Sequence, residues 1–357
     1  MIDVYFGTNR NPLPARDPRD FGHQLNNRGS FLRFGKAQVS DELDSVEQIA
    51  VAPERLRPSR RSQLLGSNTI FAEIRESMRA GVDTVLFIHG FDYSFHEALI
   101  DAALLKRTYE TAETPYTFFV FSWPSDGSLM PYIAYANDRA DARTSGAALG
   151  RGLLKLGEFV RRVSDELGPR VRSDLGRDAE TARLRKELRA GRLHLMAHSM
   201  GGYVLRHAVQ GMRREIGDDL PRLFDEILLI AVDEDADAFE HDHKLALLPR
   251  LARRVTVYHN REDIPLAISD MTKGNPDRLG ADGPSHPHLL PAKVSVVDCT
   301  EVVSGFQEHR YHKDEHSVTE DIMAVLHANT SNSVANRTYV PESNSYQISR
   351  VNSKRQP

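Results

Sequence analysis

The chain has 357 residues, 40% of them hydrophobic and 27% charged, with a formal net charge of −4. Length alone would suggest about two domains, yet one α/β domain with insertions reaches this size. The near balance of 46 Lys+Arg against 50 Asp+Glu argues against a dedicated nucleic-acid or anionic-membrane binder, and the lone Cys299 excludes an internal disulfide framework or multi-cysteine metal site.

In chain order, the opening MIDVYFGTNR carries Asp3 and Arg10 and lacks the apolar region of a Sec-type signal. No apolar run approaches the ~20 residues of a membrane span. The expectation is a cytoplasmic protein in a reducing compartment. IDVYFG and FLRFGKAQV read as leading strands, the second inside a Pro- and Arg-rich, irregular part over residues 10–65. Six short, almost wholly apolar runs follow: Val85–His89, Thr117–Ser122, Leu193–His198, Ile227–Val232, Val255–His259 and Val294–Val297. Strands covered on both faces need that pattern. Between them, Glu97–Arg107 and Ser145–Leu167 repeat apolar residues at helical spacing. Alternating strands and helices predict an α/β fold: a mostly parallel central sheet with helices on both faces, one domain over residues 1–328. Residues 169–191 read as a charged helical insert, solvated because Asp174, Asp178, Glu180 and Glu187 interleave with its arginines. Near the end, SVTEDIMAVL predicts a helix capped by Ser317 with Glu320 three residues on. Residues 329–357 form a polar, mobile tail, in which TYV and YQI offer an edge strand.

Chemistry concentrates in LHLMAHSMGGYVL. A buried strand ends at His198, Ser199 follows, and Gly201 and Gly202 lead into a helix. A serine on such a corner is held in strained backbone with its hydroxyl presented, and the helix N-terminus aims N–H groups where negative charge develops. The bland alternative is a helix-capping serine. In VLFIHGFDYSFHEAL, Gly90 permits a tight turn at a strand end, so the Phe91 N–H could join the Met200 N–H in an oxyanion hole. His89 reads as ordering that loop, His96 as starting a helix, and His198 as projecting away from Ser199, so none is the base.

In a sheet of this kind the order is serine, acid, histidine. Asp263 in VTVYHNREDIPL is the first acid candidate, with Asp233 at the start of DEDAD as the other. His309 is the first base candidate after the last strand, with His312 and His316 open as replacements. Their spacing could mimic a metal site, but no HExxH exists and the segment reads first as loop. His241, His243, His286 and His288 read as solvated loop residues.

These motifs together resemble a known family. TVLFIHGF, VFSWPSDGS, AHSMGGYVL, VYHNREDIPLAIS with DRLG, and HRYHKDEHSVTEDI are similar to a bacterial α/β-hydrolase family called domain of unknown function 900, as is the opening VYFGTNRNP. Ala197 departs from the usual glycine, and a histidine cluster stands where one suffices. The resemblance implies the α/β-hydrolase fold and carries a triad onto Ser199, Asp263 and His309. The activity expected is a serine hydrolase of esters, thioesters or related acyl bonds, without cofactor or metal. Its partner would be a small-molecule acyl substrate; oligomeric state is not legible. Tyr93, Trp123, Tyr132 and Leu266 are expected to wall the pocket, with loops from Trp123 to Tyr135, Asp233 to Pro249 and Ile264 to Pro291 around its mouth. The rival is a catalytically silent hydrolase-fold protein used for binding.

Overall fold

Strands without a polar side are stable only between two covering layers, and the sheet places its most apolar runs at its centre. The computed structural model describes residues 1–53, 65–125, 131–173, 191–263, 266, 277–303, 309–327 and 330–350. The chain opens with β1 (Ile2–Thr8), a ribbon of β2 (Arg10–Leu13) and β3 (Asp20–Leu25), then β4 (Arg33–Val39) and β5 (Val46–Val51). Next come α1 (Ser67–Arg79), β6 (Asp83–Ile88), α2 (Phe95–Tyr109), β7 (Tyr116–Ser122), α3 (Pro131–Ser173), β8 (Leu193–His198) and α4 (Gly201–Ile216). β9 (Phe224–Ile230), β10 (Ala252–His259) and β11 (Val294–Asp298) follow. The one-turn α5 (Tyr311–Asp314), α6 (His316–Leu326) and a hairpin of β12 (Arg337–Val340) and β13 (Ser345–Ile348) finish the described chain.

Among the described residues eleven strands form one sheet in the order β12-β13-β11-β10-β9-β8-β6-β7-β1-β4-β5. From β11 to β1 every neighbouring pair is parallel. β4 and β5 add antiparallel strands at one edge, and β13 adds a parallel one beside β11, closed by antiparallel β12. The strand–helix alternation led to the expectation of such a mostly parallel sheet with helices on both faces, and the family resemblance implied its α/β-hydrolase form. Every residue of β6, β7 and β8 is buried. One apolar layer joins the sheet to α1, α3 and α4, and the other joins it to α2 and α6. Parallel strands all run the same way, so the loops after β6, β8, β9, β10 and β11 gather at one edge, where ligand sites of open sheets lie.

The structure differs from the sequence expectations in places. Within residues 10–65, β2, β3 and β5 form although no periodicity announced them; β5 alternates only weakly and lies at the sheet edge. Of the charged insert 169–191, the first residues continue α3 to Ser173, and 174–190 lie outside the described residues. The cap of α6 is Glu315, whose side chain accepts from the Ser317 amide, rather than Ser317, which is buried inside the helix. Beyond Leu326, TYV and YQI lie in β12 and β13 and are joined to the main sheet. Arg337 of β12 donates at 2.6 Å to each carboxylate oxygen of Asp321 on α6 and at 3.2 Å to Tyr258 Oη on β10, binding the hairpin through a buried ion pair. No helix among the described residues is long and apolar enough to cross a membrane.

Candidate active site

β8 stops at His198 and α4 starts at Gly201, so two residues must turn strand into helix. Ser199 does so with φ of +53°, a conformation that surroundings must impose on a side-chain-bearing residue. Its carbonyl accepts from the Gly202 and Asp233 amides, both at 3.0 Å, and its own amide donates to Ile230 O at 3.0 Å. Gly201 is obligatory on steric grounds. A Cβ there would sit 2.4 Å from Ile88 O and 2.8 Å from His89 O, which is backbone collision. Ala197 is fully buried in the apolar layer below. The Met200 amide precedes the first helical turn, where no intrahelical carbonyl can reach it.

The loop after β6 presses on this elbow. A Cβ at Gly90 would lie 2.9 Å from Ser199 Cβ and 3.4 Å from its Oγ. His89 is fully buried, and burial first, then the Arg10 charge, pushes its imidazole down to about 3. It is therefore neutral, and its partners settle the tautomer. The Trp123 amide donates to Nε2 at 3.2 Å, so the proton sits on Nδ1, which donates to Gly90 O at 2.9 Å. In a trans peptide the N–H points opposite to the C=O. Anchoring Gly90 O thus sets the direction of the Phe91 N–H.

Asp263 and His309 meet, as the loop placements after β10 and β11 allow. His309 Nδ1 lies 2.8 Å from Asp263 Oδ2 and 3.0 Å from Oδ1. The carboxylate is buried and also accepts from the Leu266 amide at 3.1 Å. The His309 side chain keeps 18% of its surface exposed. His198, one residue before Ser199, packs its ring 4.8 Å from the His309 ring and donates from Nε2 to His309 O at 2.9 Å. Sequence reasoning gave His198 no task; its bond to the histidine-bearing loop follows from its place at the strand end. Burial, and secondarily the neighbouring His309, holds His198 well below the usual histidine range.

The other candidates are placed elsewhere. Asp233 is buried and accepts from Tyr135 Oη and from Arg139 Nη1 at 3.4 Å, with Arg278 Nε 3.7 Å away. His312 is fully buried 4.6 Å from the His198 ring, neither ring nitrogen has a hydrogen-bond partner among the described residues, and burial depresses its pKa far below the usual range. Extended backbone at Glu315 separates it from His316, so the three histidines do not share one helical face. Among the described residues no group of three or more His, Cys, Asp or Glu is arranged to hold a metal. His241 and His286 are on the surface, 3.0 Å from Asp237 Oδ2 and 2.9 Å from Glu240 Oε1.

Trp123 is corrected from pocket wall to loop support. It has no exposed surface, stacks on His89 with ring centroids 5.3 Å apart, and donates from Nε1 to His89 O at 2.9 Å. Tyr93 turns its hydroxyl to Asp101 on α2 at 2.9 Å, and Leu266 is buried beside Asp263. Tyr132 lies in α3, its side chain outside the described residues, and so does much of the expected mouth: 126–130, 264–265 and 267–276. Two ties were not foreseen: Lys313 with Asp101, and Tyr109 Oη donating to His312 O. Both fasten the segment that follows His309 to α2.

A family model described as alpha/beta hydrolase of unknown function (DUF900) matches residues 68–162 and 178–327. No curated protein and no solved structure matches the chain.

Proposed function

Because the chain belongs to this α/β-hydrolase family, we propose that it is a serine hydrolase of esters, thioesters or related acyl bonds. The reading rests chiefly on one observation: the buried Asp263 carboxylate grips Nδ1 of His309, whose ring packs against His198, the residue before the strained Ser199. A carboxylate accepts only, so it keeps the proton on Nδ1 and leaves Nε2 as the base. Ser199 Oγ attacks the acyl carbon while His309 Nε2 takes its proton. The tetrahedral oxyanion is received by the Phe91 and Met200 amides. His309 then protonates the leaving alcohol or thiol, and water, activated by the same imidazole, releases the acid and restores Ser199. Asp263 holds the ring and stabilises the imidazolium.

A fluorophosphonate probe tests the proposal. Labelling is expected on wild type and lost in Ser199→Ala, whose turnover of a p-nitrophenyl ester should fall by a factor on the order of 10⁶. Residual turnover within about tenfold of wild type would remove Ser199 from the mechanism. No labelling of folded wild type supports the silent, binding-only alternative.

A further inference from the structure

The loop from His89 to Ser94 is held from outside at successive peptides, and two of the anchors come from parts of the chain with no place in the triad. At Asp92, φ is +60°, again a left-handed conformation at a non-glycine residue. Its amide donates to Ser125 Oγ at 2.7 Å. Ser125 is buried just after β7 and spends its hydroxyl proton on the buried carboxylate of Asp138 in α3. That commitment leaves a lone pair of Oγ aimed at Asp92. One residue on, Tyr93 O accepts from Arg10 Nη2 at 2.5 Å. The Arg10 guanidinium is fully buried, with Nε on Ser122 Oγ at 2.9 Å and Nη1 3.4 Å from Gly22 O. Thr8 Oγ1 donates to Ser122 O at 2.6 Å and accepts from the Arg10 amide at 3.1 Å, so the exit of β1 locks onto the end of β7. Arg10 lies outside the family-matched residues.

We propose that Ser125, with Asp138 behind it, and Arg10 are positioning residues for the oxyanion hole. Together with His89 they fix the peptide plane that carries the Phe91 amide and the planes that follow it, so that this N–H faces Ser199 before substrate arrives. The loop needs this help because Asp92 holds an unfavourable backbone conformation, and an unanchored loop would relax out of it. Preorganised donors stabilise charge without reorganising during the reaction. Loosening the anchor therefore costs transition-state binding more than substrate binding. The inference rests on the serine-hydrolase proposal above.

The test compares wild type, Ser125→Ala and Ser125→Thr with a short p-nitrophenyl ester and a phenylboronic acid, each rate referred to the Ser199 titrated by fluorophosphonate. Ser125→Ala should lower kcat by about 10- to 100-fold with KM changed by less than about threefold, the size expected for a small misplacement of a catalytic donor. Boronate affinity should fall in parallel with kcat, because the boronate adduct is tetrahedral and anionic. Ser125→Thr, which keeps the hydroxyl, should recover most of the loss. Should Ser125→Ala not fold, the same criteria apply to Asp138→Asn and Arg10→Lys. Unchanged kcat in a protein that labels at Ser199 overturns this inference alone, as does a loss confined to KM. Failure of wild type to label overturns it together with the hydrolase reading.

Discussion

Acid should destabilise this fold well above the range in which carboxylates titrate. His89, His198 and His312 are at most 3% exposed, and burial is the leading cause holding each below its unfolded value of 6.5. A histidine with a depressed folded pKa stays neutral in the native state while its unfolded counterpart gains a proton. Its contribution is thus complete above pH 6.5 and lost as pH falls below it, by about 1.4 kcal/mol per pH unit. At about pH 5.5 the three together withdraw about 4 kcal/mol. Glu234 acts in the opposite sense, because burial pushes its carboxyl up to about 7, so protonation favours the folded form. Its offset is about 2 kcal/mol over the same interval, leaving a loss of about 2 kcal/mol from these four groups against a typical total of 5–15, to which His207 and His259, both depressed chiefly by burial, add. Urea unfolding at about pH 7.5 and 5.5 measures the difference, and Trp123, the single tryptophan and itself stacked on His89, is the fluorescent reporter. His312→Phe should shrink the difference by about 1.4 kcal/mol. Equal or greater wild-type stability at the lower pH refutes the reasoning.

The triad proposal makes sharper demands. Asp263→Asn presents an amide that can donate toward His309 Nδ1, favouring the wrong tautomer, and kcat should fall by about 10⁴ with the fold intact by circular dichroism; a loss under about tenfold dissociates Asp263 from catalysis. Asp233→Asn, whose carboxylate is taken up by Tyr135 and Arg139, should instead retain turnover within about tenfold while lowering Tm; the opposite pattern would exchange the two acids. Gly201→Ala drives a methyl into Ile88 O and His89 O and should cost about 1–3 kcal/mol of stability as well as fluorophosphonate labelling. Wild-type melting and labelling would mean that the elbow is looser than its contacts indicate.

What could be read from the sequence was whatever a local pattern encodes. β6, β7 and β8 are apolar on both sides because helices cover both sides, and that leaves a mark in six or seven consecutive letters. The Ser199 turn was legible for a similar reason, since Gly201 and Gly202 betray a helix that must start against another strand. β3 and β5, half exposed, carry no such mark: DFGHQL and VEQIAV acquire their conformation from the partners they pair with. The acid and base could be narrowed to Asp263 or Asp233 and to three histidines, because chain order restricts which loop each occupies. Among the histidines chain order already put His309 first, and its contact with Asp263 and the burial of His312 are features no local pattern carries. The anchors were illegible for a plainer reason. Arg10 meets Tyr93 across 83 positions and Lys313 meets Asp101 across 212, and no spacing rule spans such separations.

The C-terminal hairpin has a practical bearing on where this protein can be cut. Family similarity stops at residue 327, which invites a shortened version ending there. Such a fragment would keep Asp321 but discard Arg337, stranding a carboxylate in an apolar layer at a cost of about 3–5 kcal/mol, and would strip the flank from β11. Where shared ancestry fades, the folding unit continues.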